Sequence, residues 1–404
     1  MFTICLIPGD GVGREVIPAA AQVMATVLPD VRFVEAEAGW ECFLRRGTAL
    51  PDETLAAVAA ADGTLFGATQ SPITGDLTPR PPFPPDLGGQ GGTQSPITGD
   101  LTPRPPSPPN LGGQGGSERS YRSPILALRK QFDLYANLRP TVSLLPSVPG
   151  PSEAPRTGID LLIVRENTEG LYTGRERRDG PDAAIAERVI TRRAGERIAR
   201  VAFEQARKRA AHRQLNPSSF QLPASSPQPP GPRPQVTIVH KANVLKLTDG
   251  LFRQACLTVA AEYPDVRVEE MLVDAAAMWL VKDPARFDVI VTTNLFGDIL
   301  SDLAAGLVGG LGVAPSANVG AGRVAVCEPV HGSAPDIAGQ GIANPIGAIL
   351  SAAMLLDHLG QAAAADRVRR AVAATVAAGI VTPDLGGAAT TAQVTAEICA
   401  RLRM

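Results

Sequence analysis

The sequence points to an α/β protein with a mixed or parallel sheet. Apolar strand-like runs alternate with amphipathic helical runs along the chain, which is the pattern of strands crossed over by helices. A tight glycine turn, GDGVG (Gly9 to Gly13), joins the first such pair. The run FDVIVTTNLF (Phe287 to Phe296) reads as a buried strand leading directly into a helix. At 404 residues, 44% of them hydrophobic, the chain can bury a large core and is expected to form two domains.

Phe2 to Pro8 is the first expected strand. Arg14 to Val27 follows as a helix, with Val16, Ile17, Ala20, Val23 and Met24 on its apolar face. Further strands are expected at Gly158 to Val164, Gln235 to Val239, Val266 to Val273 and Val289 to Thr293. Long helices are expected at Ala194 to Arg209, Ile346 to Leu359 and Ala364 to Ala378. The turn GDGVG lacks the full G-x-G-x-x-G dinucleotide pattern, so its glycines are expected to serve a sharp strand-to-helix turn.

A tandem repeat interrupts this alternation. TQSPITGDLTPRPPFPPDLGGQGG (Thr69 to Gly92) recurs at Thr93 to Gly116, with Phe83 replaced by Ser107 and Asp86 by Asn110. Dense Pro and Gly with almost no apolar surface predicts a disordered loop, and two copies are too few for a solenoid. Two more proline-rich insertions, Leu145 to Arg156 and Asn216 to Pro234, are expected to be surface loops.

A net charge of -2 and a pI near 6.2 offer nothing to nucleic acid or an anionic membrane, and small metabolites are the expected partners. The cysteines Cys5, Cys42, Cys256, Cys327 and Cys399 are odd in number and widely spaced, which argues against a disulfide framework or a zinc site. The first residues carry neither a signal peptide nor a membrane anchor, so a cytoplasmic location is expected.

GDILSD (Gly297 to Asp302) places Asp298 and Asp302 four residues apart, on one face of the expected helix. Two hard oxygen ligands there suit Mg2+ or Mn2+, and Asp274, expected at the end of the strand MLVD, is a third carboxylate available to the metal. Arg122, Arg129, Arg139 and Arg165 are candidates for binding carboxylates, since guanidinium forks grip them bidentately. Tyr172 and Lys241, each expected just after a strand, form a candidate proton-transfer pair. In EPVHGSAPDIAGQGIANP (Glu328 to Pro345), backbone N-H groups around His331, Gly332 and Ser333 could approach phosphates. Asp336 could bind ribose hydroxyls and repel a 2'-phosphate, selecting NAD over NADP. Asn344 could read the adenine edge.

Taken in order, LIPGDGVG, LRKQFDLYANLRP, RENTEGLY, HKANV, TTNLFGDILSD and EPVHGSAPDIAG resemble the β-decarboxylating dehydrogenases of 2-hydroxy acids, the family of isopropylmalate, isocitrate, homoisocitrate and tartrate dehydrogenases. The resemblance covers nearly the whole chain outside the proline-rich insertions. It implies a two-domain fold that is not a Rossmann fold. One NAD-binding domain would comprise 1–134 and 309–404, and a central domain, 135–308, would carry dimer contacts and metal and substrate residues. It also implies a homodimer or tetramer with sites shared between subunits.

By the same resemblance Arg129, Arg139 and Arg165 hold the malate carboxylates, with Asn243 also on the substrate. Asp298 and Asp302 bind Mg2+ or Mn2+, with Asp274 and Lys241 supplied by a second subunit. His331, Gly332, Ser333, Ala334, Asp336, Ile337 and Asn344 bind NAD. Lys241 would help take the C2 hydroxyl proton as hydride passes to NAD, and Tyr172 would help protonate the enolate left when CO2 departs. YRSPILALR (Tyr121 to Arg129) determines the C3 substituent accepted. It looks most like the homoisocitrate branch, where Arg122 and Ser123 would meet the third carboxylate of a tricarboxylate substrate. Ile125 and Leu126 could instead line an apolar pocket, as isopropylmalate requires. Non-catalytic regulatory subunits also occur in the isocitrate branch, but they usually lose part of the acid, base or metal set that this chain retains.

Overall fold

A computed structural model of the chain describes residues 1–70, 121–144, 158–215 and 234–403. The tandem repeat beyond Gln70 lies outside the described residues, as do the stretch Leu145 to Arg156 and nearly all of Asn216 to Pro234.

The protein is mixed α/β, built on a ten-stranded sheet. One half comes from both ends of the chain: β1 (Phe2–Ile7), β2 (Val31–Glu35), β3 (Gly63–Phe66), β11 (Pro315–Val319) and β12 (Ala325–Pro329). The other half comes from its middle: β4 (Ala136–Val142), β5 (Asp160–Glu166), β8 (Gln235–His240), β9 (Arg267–Leu272) and β10 (Val289–Thr292). The strand order is β2-β1-β3-β12-β11-β4-β5-β10-β8-β9, and β6 (Glu176–Arg178) with β7 (Ala184–Ala186) forms a separate hairpin. Antiparallel pairings of β4 with β5 and β11, and of β11 with β12, sit among parallel ones. That order differs from the doubly wound dinucleotide-binding order.

Helices cover both faces, so strands such as β8 and β10 are buried along their whole length rather than on alternate residues. All four residues of β10 and all six of β8 are buried. α1 (Gly13–Val27) buries Val16, Ile17, Ala20, Val23 and Met24, the face its spacing predicts. It packs with α9 (Ile346–His358), α10 (Ala362–Ala377) and α11 (Thr391–Arg403). On the other half, α5 (Arg192–Leu215) buries Ile198, Ala202, Phe203 and Ala206 against β8, β10 and Phe252 of α6 (Thr248–Ala260). Full burial of a side chain such as Phe203 or Phe252 stabilises by about 1.5–3 kcal/mol. A third cluster, including Cys5, Ile7 and Phe66, takes in Val58 of α3 (Asp52–Ala60) and Leu128 of α4 (Pro124–Gln131). All five cysteines are free and buried.

Two features place the site. The glycine turn is pressed onto the loop after β12: Gly11 has φ +55, and a Cβ there would stand 2.0 Å from the Ser333 carbonyl oxygen. That same oxygen accepts the Val12 N-H at 2.9 Å. The second is the run after β9. The strand ends at Leu272, so Asp274 lies in the first turn of α7 (Val273–Lys282) and not at a strand end. Among the described residues no helix is long and apolar enough to cross a membrane.

Candidate active site

α8 (Asn294–Val308) starts two residues beyond β10 and presents Asp298 and Asp302 one turn apart, as their spacing requires. Arg139 from β4 reaches between them, with Nη1 3.1 Å from Oδ1 of each. The two carboxylates therefore converge on one cationic point. Burial alone would raise the Asp298 carboxyl, but the Arg165 and Arg139 guanidiniums outweigh it and hold it below the ordinary carboxylate value. For Asp302 burial prevails and its carboxyl is raised. Among the described residues no third acid, histidine or cysteine completes a metal-binding group with them. Two hard oxygen ligands suit a divalent cation that fills the rest of its shell with water, substrate or further ligands.

Three arginines surround these acids, each buried and each held by a side-chain amide. Arg165, 1% exposed, donates through Nε and Nη2 to Oδ1 of Asn294 at 3.0 and 2.8 Å and through Nη1 to Asp298. Gly297 permits this approach, since a Cβ there would meet the Arg165 side chain at 2.7 Å. Arg139 donates to Asn137 at 2.6 Å and Ser301 at 2.7 Å. Arg129 donates to Asn318 at 3.0 Å and Glu328 at 3.2 Å. Asn318 Oδ1 also accepts from Asn137 and Asn167, so one amide ties β4, β11 and Arg129 together. Burial, helped by the like charges of Arg139 and Arg129, pushes Arg165 down to about 10.

Tyr172, in a single 3-10 turn at Leu171–Thr173, donates its hydroxyl to Oδ2 of Asp298 beneath the Arg165 guanidinium. Burial, then the hydrogen bond to Asp298, raises its phenol. Lys241 stands immediately after β8 and its Nζ donates to Asp274 Oδ1 at 2.6 Å. The pair Lys241 and Asp274 is thus formed within one chain, but Asp274 is not brought into one acidic group with Asp298 and Asp302. Asp274 rides on α7 while Asp298 and Asp302 ride on α8, and the resemblance assigns Asp274 to the metal of a second subunit.

Beyond β12, His331 Nδ1 contacts the Gly332 carbonyl at 2.9 Å while its Nε2 is buried with no partner among the described residues. Burial lowers the His331 imidazole, keeping it neutral. Ser333 is buried, Ala334 adopts a left-handed φ of +39, and Ile337 packs on the core edge. The Asp336 carboxylate is exposed. Asn344 is engaged within the protein: its Nδ2 donates to Asp384 at 3.0 Å and its Oδ1 accepts the Ile346 N-H at 3.0 Å, starting α9. An orphaned ring nitrogen beside an open Gly332, where a Cβ would touch nothing, fits a bound ligand.

A pocket of about 210 Å3 lies between two of the arginines and the loop after β12, lined among others by Ser123, Ile125, Arg129, Arg139, Glu328 and His331. Ser123 caps α4 without a side-chain bond to it, leaving its hydroxyl available. Arg122 and Asn243 are exposed, and neither they nor Leu126 line the pocket. Asn137, Asn294, Asn318 and Glu328 serve the site without any signal of their own in the sequence, although ANLRP, TTNLF and EPVHG contain three of them.

The family model for isocitrate/isopropylmalate dehydrogenase matches residues 3–82 and 107–399. The chain belongs to the isocitrate/isopropylmalate dehydrogenase family. The stretch left unmatched, 83–106, has the length of one copy of the tandem repeat. The chain is 48% identical over 403 residues to an isocitrate/homoisocitrate dehydrogenase of Thermus thermophilus, spanning 100% of this chain and 99% of the relative. It is 43% identical to a 3-isopropylmalate dehydrogenase of Methanothermobacter thermautotrophicus, over 99% and 98% of the two chains. The crystal structure of isocitrate dehydrogenase from Methylococcus capsulatus matches with TM-score 0.78 at 38% identity, covering 100% of both chains. The protein is accordingly a β-decarboxylating dehydrogenase of this family, whose members use a divalent metal and NAD(P).

Proposed function

We propose that this family member is an NAD-dependent homoisocitrate dehydrogenase, converting (2R,3S)-homoisocitrate to 2-oxoadipate in lysine biosynthesis, with isocitrate as a second substrate. The observation that carries the choice is Ser123, which lines the pocket together with Arg129 and whose side chain makes no capping bond to its own helix. A third carboxylate buried there needs a donor, and Ser123 supplies one. Arg122 lies outside the lining, and its part is limited to long-range attraction.

Charge supports a polyanionic substrate. Arg129, Arg139 and Arg165 are balanced by Glu328, Asp298 and Asp302. A divalent cation at Asp298 and Asp302 would leave a surplus that a dicarboxylate neutralises. Such a cation supplies polarisation of the 2-hydroxy and 2-oxo oxygens. NAD would supply the hydride acceptor, and His331, Gly332, Ser333, Ala334, Asp336, Ile337 and Asn344 would hold it.

The chain's own groups then have distinct tasks. The arginines orient the malate core. Lys241 accepts the proton of the C2 hydroxyl, and Asp274 is positioned to carry its charge. Tyr172 holds its proton through neutral pH and delivers it to the carbon that loses CO2. Because one chain does not gather Asp274 with Asp298 and Asp302, Lys241 and Asp274 serve the site of a second copy. We further propose two domains, 1–134 with 309–404 and 135–308, meeting where β11 pairs with β4.

The second reading, 3-isopropylmalate dehydrogenase, is favoured by Ile125 in the same pocket wall. Ser123→Ala separates the two. A fall of about tenfold or more in kcat/KM for homoisocitrate relative to 3-isopropylmalate supports the first reading, and an unchanged ratio rejects it.

A further inference from the structure

Arg188 belongs to none of the site motifs, yet it touches the segments behind three of them. It is mostly buried, with its side chain 12% exposed, and its partner Asp249 is 0% exposed. The Arg188 guanidinium pairs through Nη1 with Oδ1 of Asp249, and the other oxygen of Asp249 accepts the backbone N-H of Lys241 at 2.6 Å. Nη2 of Arg188 donates to the Thr293 hydroxyl at 2.9 Å, at the residue that starts α8, and the guanidinium lies 4.9 Å from the Phe296 ring centroid. The adjacent Val189 forms a backbone bridge with Gly170, with N-H to O distances of 2.8 and 3.3 Å. Gly170 precedes the 3-10 turn that carries Tyr172.

We propose that the buried pair Arg188 and Asp249 is a positioning device that holds the Lys241 loop, the start of the acid-bearing helix α8 and the Tyr172 turn in fixed register. The chemistry explains the choice of side chains. A planar fork can serve a carboxylate and a hydroxyl at once, whereas an ammonium presents a single point of charge. A buried carboxylate with one oxygen on a guanidinium and the other on a backbone N-H fixes the direction in which Lys241 leaves its strand. Proton transfer is sensitive to such register, since a misplacement of about 1 Å can cost on the order of 100-fold in rate. If Lys241 serves a second copy's site, as proposed above, this pair also couples the two sites through one chain.

The proposal rests on the dehydrogenase reading for its kinetic consequence, but not for its structural one. Arg188→Lys retains the charge beside Asp249 while losing the fork, and Thr293→Val removes the acceptor on α8 while leaving the ion pair intact. Both are expected to fold and to lower kcat by about tenfold or more with KM within about threefold of wild type. Backbone hydrogen exchange of the whole protein should accelerate together in segments 169–173, 241–249 and 293–297 in Arg188→Lys, while the sheet core is unchanged. Exchange changes confined to 186–190, or kcat within about twofold of wild type in both variants, would overturn the linkage. If the wild type turns over none of the family's substrates, the dehydrogenase reading fails, and the exchange pattern alone decides whether Arg188 links the three segments.

Discussion

Tyr172 donates its hydroxyl to Asp298, so the group proposed to return a proton to the substrate is hydrogen-bonded to one of the acids proposed to hold the metal. Burial and that acceptor raise the phenol, and the depressed carboxyl stays ionised beneath two arginines. Donor and acceptor are therefore in the protonation states that the reaction needs at neutral pH.

Tyr172→Phe removes the proton but keeps the ring beneath Arg165. Turnover should fall by about 100- to 10,000-fold, the usual worth of a positioned general acid, with substrate KM within about threefold. Initial-rate NADH formation checks this, with circular dichroism to confirm the fold.

Metal binding should depend on residues that one chain keeps apart. Asp302→Asn and Asp274→Asn should each weaken Mn2+ binding by more than about tenfold, read from the free Mn2+ signal by electron paramagnetic resonance. If sites are shared between copies, unfolding and refolding the two variants together should restore activity to about a quarter of wild type, because one site in each mixed dimer is then intact. No recovery in the mixture would mean that each chain builds its own site.

Much of the fold and the site is legible in the sequence. The alternation of strands and helices, the faces of α1 and α8, and the acid and arginine motifs follow from periodicity and side-chain chemistry. β4 is not legible, and its residues explain why. ANLRPTV turns Asn137, Arg139 and Thr141 inward, so the polar side chains serving the site erase the apolar pattern of a buried strand. Pro140 adds a second false signal. It is tolerated because the ladder with β11 stops at Leu138, leaving only β5 beside it. The separation of Asp274 from Asp298 within one chain is implied only by the family resemblance, since it depends on how α7 and α8 are arranged and not on either sequence.

Acid stability should be governed in part by Asp288. Burial alone would raise its carboxyl, but Arg213 and Arg209 bond to it and hold it below the usual value of 3.8. A carboxyl depressed on folding stabilises the protein above its unfolded value, and that contribution is lost as pH falls through the folded one. The melting temperature should therefore drop from about pH 4 downward, and Asp288→Asn should flatten that slope. At pH 7 the same variant should cost about 1–3 kcal/mol, because Arg209 and Arg213 lose one carboxylate partner and keep Asp160. A slope unchanged in the variant would assign acid unfolding to other groups.

One copy of the tandem repeat should be dispensable. Removing Thr93 to Gly116 restores the length that the family model matches, and a twofold change in the length of a connection alters closure entropy by only about 0.6 kcal/mol. Turnover and melting temperature should stay close to those of the full chain. A loss of turnover greater than about tenfold would give the second copy a defined role.

The central claim is the substrate. Initial rates of NADH formation with Mg2+ on homoisocitrate, isocitrate, 3-isopropylmalate and tartrate, measured side by side, test it most directly. The highest kcat/KM is predicted for homoisocitrate, with isocitrate next, as Ser123 beside Arg129 requires. The highest kcat/KM on 3-isopropylmalate would contradict the account and show that Ile125 sets the pocket.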